Sequence, residues 1–309
     1  MSTFERALAK LREARESQSK QAAATIARVR HAEPPPPTPG AAAAAIGSSS
    51  IGRATPRKSI QFDLEALHSA GLLSRENRNL TEQYRTIKQP LLRNARRNGS
   101  DHLPAANLIM VASALAGEGK TFTCVNLSLS LASEKDWEVL LVDVDCRNPR
   151  LSRLLGVQDE PGLLELLQDR SASPESLILS TNIDRLSILP LGTQDEHAAE
   201  LLASERMAQV CDALTISNPN RITVFDSSPL LLTTESTVLS RHVGQIVVVV
   251  RADSTPQSAV AEAVQKLDPT KAIGVILNRA SGGLRDFDYA AYSAYGTYPA
   301  ERDRAAATQ

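Results

Sequence analysis

The stretch Met110-Val111-Ala112-Ser113-Ala114-Leu115-Ala116-Gly117-Glu118-Gly119-Lys120-Thr121 decides how the chain folds. It leaves an apolar run, residues 107–112, that reads as a short buried strand. It enters residues 122–132, which read as a helix. Strand, glycine turn and helix form the setting that a phosphate-binding loop needs. The first N–H groups of a helix have no partner inside it, and the helix dipole favours negative charge there. Gly117 and Gly119 let the backbone close around phosphate oxygens where a Cβ would intrude. Lys120 is placed to reach the β- and γ-phosphates, and the Thr121 hydroxyl to hold Mg²⁺. The strict pattern has Gly six residues before the lysine; Ala114 stands there. A glycine-rich turn with a chance lysine is the plain alternative, and carboxylates further along the chain weigh against it.

The chain has 309 residues, 42% of them hydrophobic. That suits one large α/β domain with extensions, or two small domains. A net charge of -1 lacks the basic footprint of a nucleic-acid binder. Cys124, Cys146 and Cys211 show neither metal-ligand nor CxxC spacing, which points to a reducing cytoplasm. The five histidines are scattered, against a histidine-built metal site. No apolar run approaches the ~20 residues that span a bilayer. The start, Met-Ser-Thr-Phe-Glu-Arg, lacks an apolar signal core, so a soluble chain is expected.

Residues 4–29 have helical character with a thin apolar stripe, Phe4, Leu8 and Leu11. Residues 33–50 hold four consecutive prolines, an alanine run and Gly-Ser-Ser-Ser, which is linker composition. Residues 1–58 are therefore expected as an extension and linker, and 59–280 as the folded domain. Two helices are expected at 60–73 and 79–97. In the second, Glu82, Arg85 and Lys88 lie three apart and read as one face, either solvated or a subunit contact.

The run Glu138-Val-Leu-Leu-Val-Asp143-Val-Asp145-Cys146-Arg147 reads as a buried strand ending in carboxylates. Ligands of open parallel sheets bind at such strand ends. The strand period of two points Asp143 and Asp145 the same way. Residues 161–167 read as a helix, 185–191 as a strand and 200–214 as a helix. Arg221-Ile-Thr-Val-Phe-Asp226-Ser-Ser228-Pro ends another strand in the second carboxylate that a phosphate-loop enzyme uses for Mg²⁺. Residues 245–250 and 273–277 are further strands, separated by a helix over 258–267. Alternating helices and all-apolar strands predict a mostly parallel sheet covered on both faces. The tail 281–309 opens with Ser281-Gly282-Gly283. It holds four of the five tyrosines, Tyr289, Tyr292, Tyr295 and Tyr298, at a strict interval of three. Their neighbours are small or polar, so the rings read as a partner-binding surface or as substrates.

Ala-Gly-Glu-Gly-Lys-Thr, Leu-Leu-Val-Asp-Val-Asp-Cys-Arg, Val-Phe-Asp-Ser-Ser-Pro and the tyrosine cluster together resemble the bacterial protein-tyrosine kinases. There the three motifs are Walker A, Walker A′ and Walker B. The segment Glu82-Gln-Tyr-Arg-Thr-Ile-Lys-Gln-Pro-Leu-Leu and the Met-Ser-Thr-Phe-Glu-Arg-Ala-Leu start resemble the exosortase-associated exopolysaccharide subgroup. The resemblance implies a P-loop NTPase fold and an ATP- and Mg²⁺-dependent tyrosine autokinase that regulates exopolysaccharide polymerisation and export. It implies nucleotide contacts from Ala116, Gly117, Glu118, Gly119, Lys120, Thr121 and Phe122, with Asn278 at the adenine. Thr121, Asp145 and Asp226 would hold Mg²⁺, directly or through water. Asp143 would accept the tyrosine proton, with Lys120, Asp145 and Asp226 completing the catalytic set. Tyr289, Tyr292, Tyr295 and Tyr298 would be the phosphoacceptors. Glu82, Arg85 and Lys88 resemble a Glu-x-x-Arg-x-x-Arg self-association motif and imply a homo-oligomer, as a ring. A separate membrane protein that sets polysaccharide chain length would be a partner, with a tyrosine phosphatase as a second. The chain would then be cytoplasmic and peripheral at the inner membrane.

The sequence also departs from the family pattern. Lys88 stands for Arg and lacks its planar two-pronged contact. Ser228 stands for the commoner Pro, and residues 194–198 replace a Pro-Asn-Pro segment. Two other readings compete. A positioning ATPase shares the motifs but carries a second lysine where Leu115 stands and lacks the tyrosine tail. A non-catalytic nucleotide-binding adaptor would not need the intact Asp143, Asp145 and Asp226.

Overall fold

A computed structural model describes residues 58–69, 78–96 and 103–280. The N-terminal helix and linker expected before residue 58, and the tyrosine tail after 280, lie outside the described residues.

The chain enters through β1 (Ser59–Ile60), α1 (Leu64–Ser69) and α2 (Arg78–Ala95). The phosphate-loop unit follows as β2 (Leu108–Ser113) and α3 (Lys120–Ala132). Next come β3 (Glu138–Asp143), α4 (Arg150–Leu154), α5 (Leu163–Gln168), α6 (Pro174–Leu177), β4 (Leu179–Thr181) and β5 (Leu186–Leu189). Then follow α7 (Ala198–Leu202), α8 (Glu205–Ser217), β6 (Arg221–Asp226), α9 (Glu235–His242), β7 (Gln245–Arg251), α10 (Gln257–Gln265) and β8 (Ala272–Asn278).

One sheet runs β1-β4-β5-β3-β6-β2-β7-β8. All its pairings are parallel except β4 with β5. Strands β2 and β6 are buried along their whole length, as a parallel sheet with helices on both faces requires. Alternate residues serve opposite layers. Leu108, Met110, Leu140, Val142 and Phe225 pack in the layer that also buries Leu163, Met207, Leu214 and Leu239 of α5, α8 and α9. Ile109, Val111, Val139, Leu141, Ile222 and Val224 pack in the layer that holds Leu67, Tyr84, Leu91, Val125 and Leu127 of α1, α2 and α3.

Several boundaries correct the sequence reading. The helix expected at 60–73 gives its start to β1, which pairs Ser59 and Ile60 with Ser180 and Thr181 at the sheet edge. The helix expected over 200–214 is two helices, broken after Leu202, with a new start at Ser204. The strand expected at 185–191 is shorter and has an antiparallel neighbour, β4, that its own pattern does not announce. Helix α9 has too few apolar residues in sequence to signal itself.

The shared face of Glu82, Arg85 and Lys88 does not hold either. The buried stripe of α2 is Tyr84, Lys88, Leu91 and Leu92, at helical spacing i, i+4, i+7 and i+8. Lys88 lies within that stripe. Its ammonium donates to Ser130 O at 2.6 Å and Ser133 Oγ at 3.1 Å, and lies 2.9 Å from Glu134 Oε1. That uses all three donors of the lysine. Glu82 and Arg85 pair with each other outside, with side chains 65% and 60% exposed. Lys88 therefore clamps α2 onto the C-terminal end of α3, and only Glu82 and Arg85 are presented outward.

Candidate nucleotide site

Of three adjacent strands, β3 and β6 end side by side and β2 runs two residues further, to Ser113. Asp143 and Asp226 are register partners, as are Asp226 and Val111. Parallel register places the two carboxylates side by side on one face, at the ~4.8 Å spacing of neighbouring strands. Both are enclosed, at 0% and 1% exposure. The loop after β2 curls over them before α3 begins.

That loop is held from within. Gly117 and Gly119 have φ of 79° and 106°, the left-handed region that favours glycine. A Cβ on Gly119 would lie 2.1 Å from Asn278 Nδ2. Asn278, the last residue of β8, donates that amide to Glu118 O at 2.8 Å. Glu118 turns inward. Its carboxylate accepts from Leu115 N at 2.6 Å and Arg251 N at 3.4 Å, and from the Thr255 hydroxyl. So Glu118 shapes the loop with its side chain and leaves only its backbone for a ligand. Lys120 Nζ donates to Ser113 Oγ at 3.1 Å, and Ser113 Oγ donates to Leu115 O at 2.6 Å.

The carboxylates differ in setting. Asp143 Oδ2 accepts from Ser152 N and Ser152 Oγ, each at 2.8 Å, and Oδ1 accepts from Asp145 N at 3.1 Å. Burial, and then the Asp226 charge, still push Asp143 up to about 7. Burial likewise pushes Asp226 up to about 6, against the Thr121 hydrogen bond and the Lys120 charge. Strand β3 stops at Asp143, so the period of two does not carry on to Asp145. Asp145 instead lies in the following turn, where its Oδ1 accepts from Asn148 N at 3.2 Å and from Ser228 Oγ at 2.8 Å. It is partly exposed, and its charge still reaches Asp226.

The structure thus gathers Gly117, Gly119, Lys120, Thr121, Asp143, Asp145, Asp226 and Asn278 at one end of the sheet. Sequence reading missed Ser113, Ser152, Ser228, Arg251 and Thr255, which hold those groups. Ser113, inside the phosphate-loop stretch, and Ser228, inside the Asp226 motif, had a local signal. Ser152, Arg251 and Thr255 reach the site through the tertiary fold.

Residues 109–289 match the family profile of the CobQ/CobB/MinD/ParA nucleotide binding domain. The chain belongs to that family. This CobQ/CobB/MinD/ParA nucleotide binding domain is 29% identical to the tyrosine-protein kinase Wzc of Salmonella typhi over 191 residues, which are 60% of this chain and 26% of Wzc. It thus spans about a quarter of that relative. Tyrosine-protein kinase YwqD of Bacillus subtilis is 29% identical over 219 residues, 70% of this chain and 86% of YwqD. The BceF tyrosine kinase domain superposes with a TM-score of 0.56 at 26% identity, covering 72% of this chain and 91% of that one. The resemblance to bacterial tyrosine-protein kinases read from the motifs is therefore matched in both sequence and structure. Among the described residues, no helix is long and apolar enough to cross a membrane.

Proposed function

We propose that the chain is an ATP- and Mg²⁺-dependent protein-tyrosine autokinase that phosphorylates Tyr289, Tyr292, Tyr295 and Tyr298. The observation that carries this reading is the convergence of Lys120 and three aspartates, Asp143, Asp145 and Asp226, under a glycine loop in left-handed conformation. The kinase names of its relatives point to tyrosine as the acceptor.

The donor set fits Mg²⁺. Thr121 already hydrogen-bonds Asp226, and Asp145 sits close enough to raise it. Among the described residues no three His, Cys, Asp or Glu side chains form a complete metal cage. Mg²⁺ needs none, because it takes one or two carboxylates and completes its shell with phosphate oxygens and waters. Bound there by Thr121, Asp145 and Asp226, it would neutralise charge on the transferring phosphate.

In this reading the loop N–H groups from Ala116 to Phe122 and the Lys120 ammonium hold the phosphates in line with the incoming tyrosine. Asn278 holds the loop and borders the base. The tyrosine oxygen bonds to the γ-phosphorus as the bond from phosphorus to the β,γ-bridging oxygen breaks, and ADP leaves. The phenolic proton passes to Asp143, which stands beside Asp226 at the strand ends with its carboxylate held by Ser152.

We also place the chain in a homo-oligomer, with Glu82 and Arg85 as its outward contacts. We assign it a separate membrane partner of polysaccharide chain-length control, an opposing tyrosine phosphatase, a role in exopolysaccharide export and a location at the cytoplasmic side of the inner membrane. The exosortase-associated assignment rests on residues 82–92 and the N-terminal octapeptide. The kinase reading is tested by incubating the purified chain with Mg-ATP and mapping phosphotyrosine by mass spectrometry. Phosphate should appear on the four tail tyrosines and vanish in Lys120→Met. ATP hydrolysis without any phosphotyrosine would instead favour the positioning ATPase.

A further inference from the structure

A second pair of charges faces the same strand ends. Glu235 opens α9 and is only 7% exposed, yet its Oε2 has no hydrogen-bond partner among the described residues. An ionised carboxylate buried without donors is strongly disfavoured. The cation facing it is Arg147, whose Nε lies 3.9 Å from Glu235 Oε1 while its side chain is 69% exposed. That gap is beyond hydrogen-bond length.

The placement of the two residues gives the pair a purpose. Arg147 sits in the turn that Asp145 closes on itself through Asn148 N. Glu235 sits on the segment that follows Asp226. That segment is pinned near Asp226 by Ser236 Oγ, which donates to Ser228 O at 2.6 Å, and by Thr233 Oγ1, which donates to Pro229 O at 3.2 Å. The Ser228–Asp145 hydrogen bond, 2.8 Å, already joins these segments at their inner end. Arg147 and Glu235 face each other across the same two segments.

We propose that Glu235 is a positioning residue of the nucleotide site. It takes the Arg147 guanidinium as its two-pronged partner when the site is filled, and so fixes the turn that carries Asp145 relative to Asp226. Arginine suits this role because its planar fork satisfies both carboxylate oxygens at once, including the one left without a donor. The inference rests on the nucleotide-site reading but not on the identity of the phosphate acceptor.

The test is the Mg²⁺ dependence of nucleotide binding by the full chain, followed with a fluorescent ADP analogue. Glu235→Gln and Arg147→Gln should each raise the Mg²⁺ concentration for half-maximal binding about tenfold, a size typical of coupled charged pairs. The double variant should be no worse than either single one, and Glu235→Asp should recover part of the loss. Unchanged Mg²⁺ dependence in both single variants, or losses that multiply in the double variant, would overturn the proposal. Arg147 is exposed, so Arg147→Gln carries the test alone if Glu235→Gln fails to fold. A wild-type chain that binds no nucleotide at any Mg²⁺ concentration sinks the nucleotide site and this inference together. A wild type that binds, with variants that match it, sinks only the inference.

Discussion

Replacing Asp143 with Asn should stabilise the empty protein at alkaline pH while removing its chemistry. The folded state raises Asp143 from 3.8 to about 7 because burial and the adjacent Asp226 disfavour its charge. A carboxyl raised on folding holds its proton in the folded state after the unfolded chain has lost it. The folded protein therefore binds more protons between about pH 4 and about pH 7, and its stability falls as pH rises through that window. Three units of pKa correspond to roughly 4 kcal/mol of destabilisation once the group is fully ionised. Asparagine removes that charge. It keeps an oxygen for Ser152 N and Oγ but meets Asp145 N with an amide donor, a loss of about 1–2 kcal/mol. The net gain for Asp143→Asn is about 2 kcal/mol at pH 8, or roughly 4–8 °C in melting temperature for a domain of this size. At pH 4 the gain should vanish, leaving only the lost hydrogen bond. Urea unfolding of both proteins at pH 4 and pH 8, free of nucleotide and Mg²⁺, measures this directly. A variant less stable than wild type at both pH values, with an unchanged difference, would refute the claim that Asp143 carries a buried charge cost.

Two further outcomes follow from the geometry. Gly119→Ala should abolish nucleotide binding and destabilise the fold by about 1–3 kcal/mol, from its φ of 106° and the 2.1 Å approach to Asn278 Nδ2. Adding Asn278→Ala should recover only part of this, since the backbone strain persists, and full recovery in calorimetry would show that the contact alone mattered. Lys88→Met should cost about 3 kcal/mol by leaving Glu134 and the Ser130 carbonyl without their donor, whereas Glu82→Ala and Arg85→Ala should each stay within about 1 kcal/mol. Equal effects at the three positions, by urea unfolding, would contradict the clamp.

The site and fold were legible where chemistry is local. A lysine after two glycines between an apolar strand and a helix, and aspartates at the ends of two other apolar strands, have one economical reading. The covalent order of those residues carries it. The register that sets Asp143 beside Asp226 is a property of two strands far apart in sequence, so the charge cost they share could be seen only in the sheet. Ser228 stands where the family pattern commonly has proline, and its motif shows no role for the hydroxyl. Its hydroxyl in fact ties Asp145 to the Asp226 turn, a bond that proline has no donor to make. For Lys88, spacing of three gives a helical angle but not the direction of the core. The neighbours Tyr84, Leu91 and Leu92 turned it inward, where only the end of α3 could supply its acceptors. Sequence alone determined which groups are available and the period on which they recur. Tertiary structure decided which of them are buried, what each one faces, and therefore what each charge costs, because desolvation and Coulomb terms depend on distances that the chain sets only when it is folded.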